Sequence, residues 1–83
     1  MDEGERETKR ELLAGFKARA ESAYDSMYSA DSFREASVRY SDAKEFFIEA
    51  IRLAEELESS DEVDSLGKRL AHAKAVYRSQ FTS

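Results

Sequence analysis

Cysteine and proline are absent from the 83-residue chain, and glycine occurs only three times, at Gly4, Gly15 and Gly67. Without cysteine there are no disulfide staples, no thiolate chemistry and none of the common structural zinc sites. Without proline nothing interrupts a long helix, and so few glycines supply little turn chemistry for hairpins. Runs of alternating Val, Ile and Thr are also missing, which argues against all-β and α/β folds. Large apolar side chains stand at most three in a row, at Phe46-Phe47-Ile48, far short of the ~20 residues of a membrane span. The opening Asp2-Glu3-Gly4-Glu5 is acidic, the wrong charge for a signal or transit peptide. These absences together predict a cytoplasmic protein without a membrane span.

What remains is a chain that is 41% hydrophobic and 37% charged. That mixture suits a folded bundle with ionic outer faces and is too apolar for a disordered tail. Its length allows one domain, here taken as residues 1–83, with most large apolar side chains committed to one core. The net charge of −5 hides an asymmetry: residues 1–64 hold all 18 acids against nine bases, whereas residues 65–83 hold Lys68, Arg69, Lys74 and Arg78 and no acid.

Apolar positions recur at helical spacing in three segments. In the first, Leu12, Leu13, Phe16, Ala20, Ala23, Tyr24 and Met27 form one stripe, predicting a helix over 5–28. The break at Ser29-Ala30-Asp31-Ser32 carries a capping box, Ser32 with Glu35, in which each side chain satisfies a backbone N–H of the opening turn. Phe33, Ala36, Tyr40, Ala43, Phe47, Ala50, Ile51, Ala54 and Leu57 then predict a helix over 33–58. A second break with the Ser59 and Glu62 pair introduces a helix over 61–81, striped by Val63, Leu66, Leu70, Ala73, Tyr77 and Phe81. Short connections make neighbouring helices antiparallel. The expected fold is an all-α antiparallel three-helix bundle. Its predicted core is Leu12, Phe16, Tyr24, Met27, Phe33, Tyr40, Phe47, Ile51, Leu57, Leu66, Leu70 and Tyr77.

The second segment has a further pattern. Phe33, Ala36, Tyr40, Ala43 and Ala50-Ile51 follow one another without a gap, and with Leu70-Ala71-His72-Ala73-Lys74-Ala75-Val76 in the third segment they resemble MIT (microtubule-interacting and trafficking) domains. These are three-helix bundles of about this length. The resemblance implies a non-enzymatic protein–protein interaction module that holds a partner's helical segment against helices 2 and 3, or 1 and 3. The third helix of that family tends to offer acids to a basic peptide, whereas this chain places Lys74 there, amid Lys68, Arg69 and Arg78. An acidic or amphipathic partner is therefore expected. Helical hairpins of tetratricopeptide type share the Phe33, Ala36, Tyr40, Ala43 spacing. Their Trp, Leu-Gly and Tyr signature is missing from the first segment, and there is no 34-residue period.

Two features could form the partner-binding surface. Phe46 and Leu53 fall roughly 100–120° to one side of the helix 2 stripe, with Ala50 between, and Ile48 falls to the other. They either widen the face of a helix packed against two neighbours or floor a groove open to a partner. Gly67, Ala71 and Ala75 stand four apart beside the helix 3 stripe, where they either face another helix of the bundle or form an external docking strip flanked by Lys68, Lys74 and Arg78. A structural homo-oligomer would bury the same ribbon by self-association.

Other chemistry is poorly represented. The basic residues of helix 3 lack the interleaved aromatic face of a nucleic-acid binder and suit the negative end of the helix dipole. His72 falls opposite the helix 3 stripe, so it is expected to be exposed and without the oriented partner that general acid–base work needs. Glu55, Glu56, Glu58, Asp61, Glu62 and Asp64 cluster at the second turn without the alternating ligands and glycine of a calcium loop. Neither catalysis, a metal nor a cofactor is expected.

Overall fold

The computed structural model of the chain describes residues 2–81, the side chain of Phe81 excepted. Phe81, last in the predicted third stripe, thus lies outside the described side chains. Three helices account for nearly all of the rest: α1 (Glu3–Tyr28), α2 (Phe33–Glu56) and α3 (Ser60–Phe81). They form an all-α three-helix bundle with consecutive helices antiparallel.

Local chemistry sets each boundary. Helix α1 begins two residues earlier than its apolar stripe predicts because Asp2 caps it, its carboxylate accepting from the Glu5 N–H at 2.8 Å. An acidic cap also suits the positive end of the helix dipole. At α2 the Ser32 hydroxyl accepts from the Glu35 N–H at 3.1 Å, as the capping box requires. The return half is displaced by one residue, since the Glu35 carboxylate accepts from the Asp31 N–H at 3.4 Å.

Helix α2 stops at Glu56, earlier than expected. Glu58 turns left-handed there (φ 57°), donating its N–H to the Glu55 carbonyl while Ser59 donates to Ala54. This 5→2 and 6→1 pair is a Schellman motif, whose left-handed position usually holds glycine. Ser59 then occupies the cap position of α3, its carbonyl accepting from the Val63 N–H at 3.1 Å.

Helix α2 is the shared neighbour, with α1 and α3 each packed along it. The core they enclose is lined largely by alanine. Ala20, Ala36, Ala43, Ala50, Ala54 and Ala73 are all sealed from solvent, joined by Leu13, Tyr24, Met27, Phe47, Leu53 and Leu66. Small side chains at the contact let helix axes approach closely, so the larger ones fill the flanks. This corrects the predicted core. Leu12 is 49% exposed and Phe33 57%; Leu13 takes the place of Leu12, and Phe33 sits at the rim against Tyr77. Phe16, Tyr40, Ile51, Leu57, Leu70 and Tyr77 are half-buried around the core. Among the described residues no helix is long and apolar enough to cross a membrane.

Candidate functional site

Aromatic contacts fix which way each helix faces. On α2, Phe46 looks toward α1, its ring 6.2 Å from Phe16. Tyr40 looks toward α3, stacked on Tyr77 at 4.3 Å and nearly parallel. On α3, Tyr77 faces α2, while Arg69 and His72 face α1 through Glu21 and Tyr24.

The α1–α3 seam is made by side chains. Arg69 donates from Nε to Glu21 Oε2 at 2.9 Å and from Nη2 to Oε1, and its guanidinium lies 4.9 Å over the Tyr24 ring. Lys17 reaches Glu62 at 3.0 Å. Hydrogen bonding to Glu21 is the main reason the Arg69 pKa is raised, against a partial loss of hydration. Burial, and then the hydroxyl contact to Tyr28 at 3.3 Å, pushes Tyr24 up to about 12. His72 is exposed, as its place on the helix predicts, and its ring also stacks on Tyr24 at 6.0 Å. Among the described residues no three acidic or histidine side chains converge as a metal site would need.

The predicted docking residues divide between inside and outside. Ala50 is sealed and Leu53 only 6% exposed, and Phe46 is half-buried against Phe16. This corrects the reading of these three residues as the floor of an open groove in favour of the other, a wide face packed inside the bundle, with Phe46 against Phe16 of α1. An α2 wedged between two helices needs an apolar face wide enough for both.

The α3 residues lie outside. Lys68, Ala71, Lys74, Ala75 and Arg78 are exposed and Gly67 is half-exposed. A Cβ built on Gly67 would meet nothing within 4 Å, so no close approach within this chain requires a glycine there. Lys68 bridges Asp64 at 3.1 Å, one turn back.

Helical geometry places one α2 residue beside this strip. At about 100° per residue, Ile48 lies about 80° past the Tyr40 direction, on the side away from Phe46. Gly67 lies about 80° past Tyr77, on the side away from Arg69. Stepping antiparallel from the Tyr40–Tyr77 stack brings Ile48 level with Arg69 and Ile51 level with Leu66, with Leu70 and Gly67 each one residue along. Ile48 is 46% exposed. The outer α2–α3 edge thus carries Ile48, Ile51, Gly67 and Leu70 in its middle. Lys44 and Lys74 mark one end. Glu55, Glu58, Val63 and Asp64 line an open hollow of about 390 Å³ at the other.

Periodicity within one helix finds neither the Glu21–Arg69 pair nor the Tyr24–His72 stack, because each joins residues 48 apart in sequence on different helices. Ile48 was within reach, since its displacement from the α2 stripe is visible in the sequence. No protein-family model matches the chain, nor does any curated protein or solved structure.

Proposed function

We propose that the chain is a non-enzymatic protein–protein interaction module that docks an amphipathic helical segment on the outer face of α3. The residues are Gly67, Lys68, Ala71, Lys74, Ala75 and Arg78, with Ile48 of α2 at the edge. Gly67 carries the reading. Glycine within a helix costs ~1 kcal/mol relative to alanine, and the space beside Gly67 is empty of this chain's own atoms. Small residues one turn apart let a second helix approach closely, and an exposed isoleucine beside them supplies apolar contact. The resemblance of α2 and α3 to MIT domains supports helix docking in general. The basic α3 favours acidic flanks on the partner, opposite to the basic motifs usual for that family.

The test is a titration of the chain with amphipathic helical peptides carrying acidic flanks, beside a matched set with basic flanks. Acidic-flanked peptides should bind at least tenfold more tightly, and Ala71→Gln with Ala75→Gln should weaken them at least tenfold. Equal affinity for both sets, or binding indifferent to the double substitution, would sink the proposal.

A further inference from the structure

The outer face of α3 carries opposite charges at its two ends. Asp61 and Asp64 stand in its first turns; Lys74 and Arg78 stand beyond its middle, with Lys44 of α2 beside Lys74. A face graded in this way is complementary to itself when turned end for end. We infer that a second copy of this chain occupies it, α3 against α3 in antiparallel fashion about a twofold axis level with Ala71. The inference rests on the reading of this face as a helix-docking surface and names the partner.

The register follows from residue numbers and helical geometry. Asp64, Lys68, Ala71, Ala75 and Arg78 alternate steps of four and three along one side of α3, the spacing of a seam between paired helices. With the axis at Ala71, Asp64 stands across from Arg78 of the second copy and Gly67 across from its Ala75. Because a twofold contact is isologous, each pairing occurs twice. Small residues meet where the helices cross, and opposite charges meet at both ends. Lys68 and Lys74 fall at matching heights but on opposite flanks of the seam, and Lys68 already has Asp64 as a counterion at 3.1 Å. The exposed Ile48 of each copy comes to the same flank, beside Gly67. Antiparallel α3 helices also oppose their dipoles favourably.

The alternative register, with the two α3 helices parallel, sets acid against acid and base against base. The inner face of α2 offers no competing seam, since Ala50 and Leu53 are buried within the bundle.

The test is the solution mass of the intact chain by sedimentation equilibrium, with three variants. One reverses the acidic end (Asp61→Lys with Asp64→Lys), one the basic end (Lys74→Glu with Arg78→Glu), and the third carries Ala71→Gln with Ala75→Gln. The parent should dimerise in a concentration-dependent way. Each charge reversal should raise the dimer dissociation constant at least tenfold, and an equimolar mixture of the two should recover the parent's value, because each remaining end then meets its opposite. The third variant, at exposed helix positions where the monomer fold is indifferent to glutamine, should also raise the constant at least tenfold. A parent chain that stays monomeric would overturn the inference, as would a dimer insensitive to Ala71 and Ala75, or reversals that mixing does not repair. A monomeric parent that still binds acidic-flanked helices would leave the docking surface standing and remove only the second copy as its occupant. A monomer that binds neither would remove both.

Discussion

Arg69 of α3 grips Glu21 of α1 with two parallel hydrogen bonds, the longer at 2.9 Å, while its guanidinium covers Tyr24. The two helices run side by side in the same direction and meet chiefly through such long side chains. An ionic fork laid on an aromatic ring fixes the lateral position of α3, together with the Lys17–Glu62 bridge and the Tyr24–His72 stack. Arginine suits this place because its planar fork matches a carboxylate and its face stacks on a ring.

Arg69→Ala should therefore destabilise the bundle, by about 1 kcal/mol. Both side chains are more than a third exposed, so solvent screens the pair and the ring contact contributes a comparable share. In a chain of this size that lowers the midpoint of thermal unfolding by about 4–8 °C. Arg69→Lys should lose about half as much, retaining charge without the fork. A lysine variant as stable as the parent would show that charge alone matters.

Stability should fall at alkaline pH in a window set by Tyr24. Its folded-state pKa of about 12 lies above the ordinary value of 10, so the folded state holds the phenolic proton more tightly than the unfolded chain. The contribution is whole below pH 10 and is lost as pH rises from 10 through about 12. Its size is at most about 3 kcal/mol. Tyr24→Phe should flatten that part of the stability curve, measured by urea unfolding between pH 9 and 12. An unchanged slope would place the alkaline loss elsewhere.

Glu58→Gly should stabilise the chain by about 0.5–1 kcal/mol. Glu58 occupies the left-handed position of the turn between α2 and α3, where a Cβ is unfavourable and glycine is free of that penalty. Glu58→Val should destabilise by more than 1 kcal/mol, since a branched side chain tolerates this backbone worst. Denaturation midpoints of the two variants bracket the parent if the turn is formed as described.

The alanine core makes a paired prediction about size. Ala43→Leu and Ala50→Leu push bulk into sealed contacts and should each cost about 1–3 kcal/mol. Phe47→Ala, which empties the largest fully buried site, should cost about 3–5 kcal/mol. Leu12→Ala and Phe33→Ala, at exposed positions, should cost well under 1 kcal/mol. Large losses at Leu12 or Phe33 would restore them to the core.

The number, order and direction of the helices were legible because apolar periodicity and the absence of proline leave few alternatives. The core was only half legible. The predicted core took Leu12 and Phe33 and passed over Leu13 and every alanine, but the close approach of helices here is set by alanine, and a large side chain fits only beside such a contact. For the same reason Leu53, which lies off the main α2 stripe, is buried along with Ala50 of the stripe. The α3 strip was visible as a pattern, yet only the exposure of Ala71 and Ala75, with the empty space beside Gly67, separates an outer face from a packed one. The Glu21–Arg69 pair left no trace in the sequence beyond two charges of opposite sign.

The most direct test of the outer face of α3 as a helix-docking surface is a dilution series of backbone amide spectra, followed by titration with an acidic-flanked amphipathic helix. The account predicts shifts concentrated at Gly67, Lys68, Ala71, Lys74, Ala75 and Arg78, with Ile48 moving and Phe46, Ala50 and Leu53 still. Shifts centred on another face, or none in either series, would contradict it.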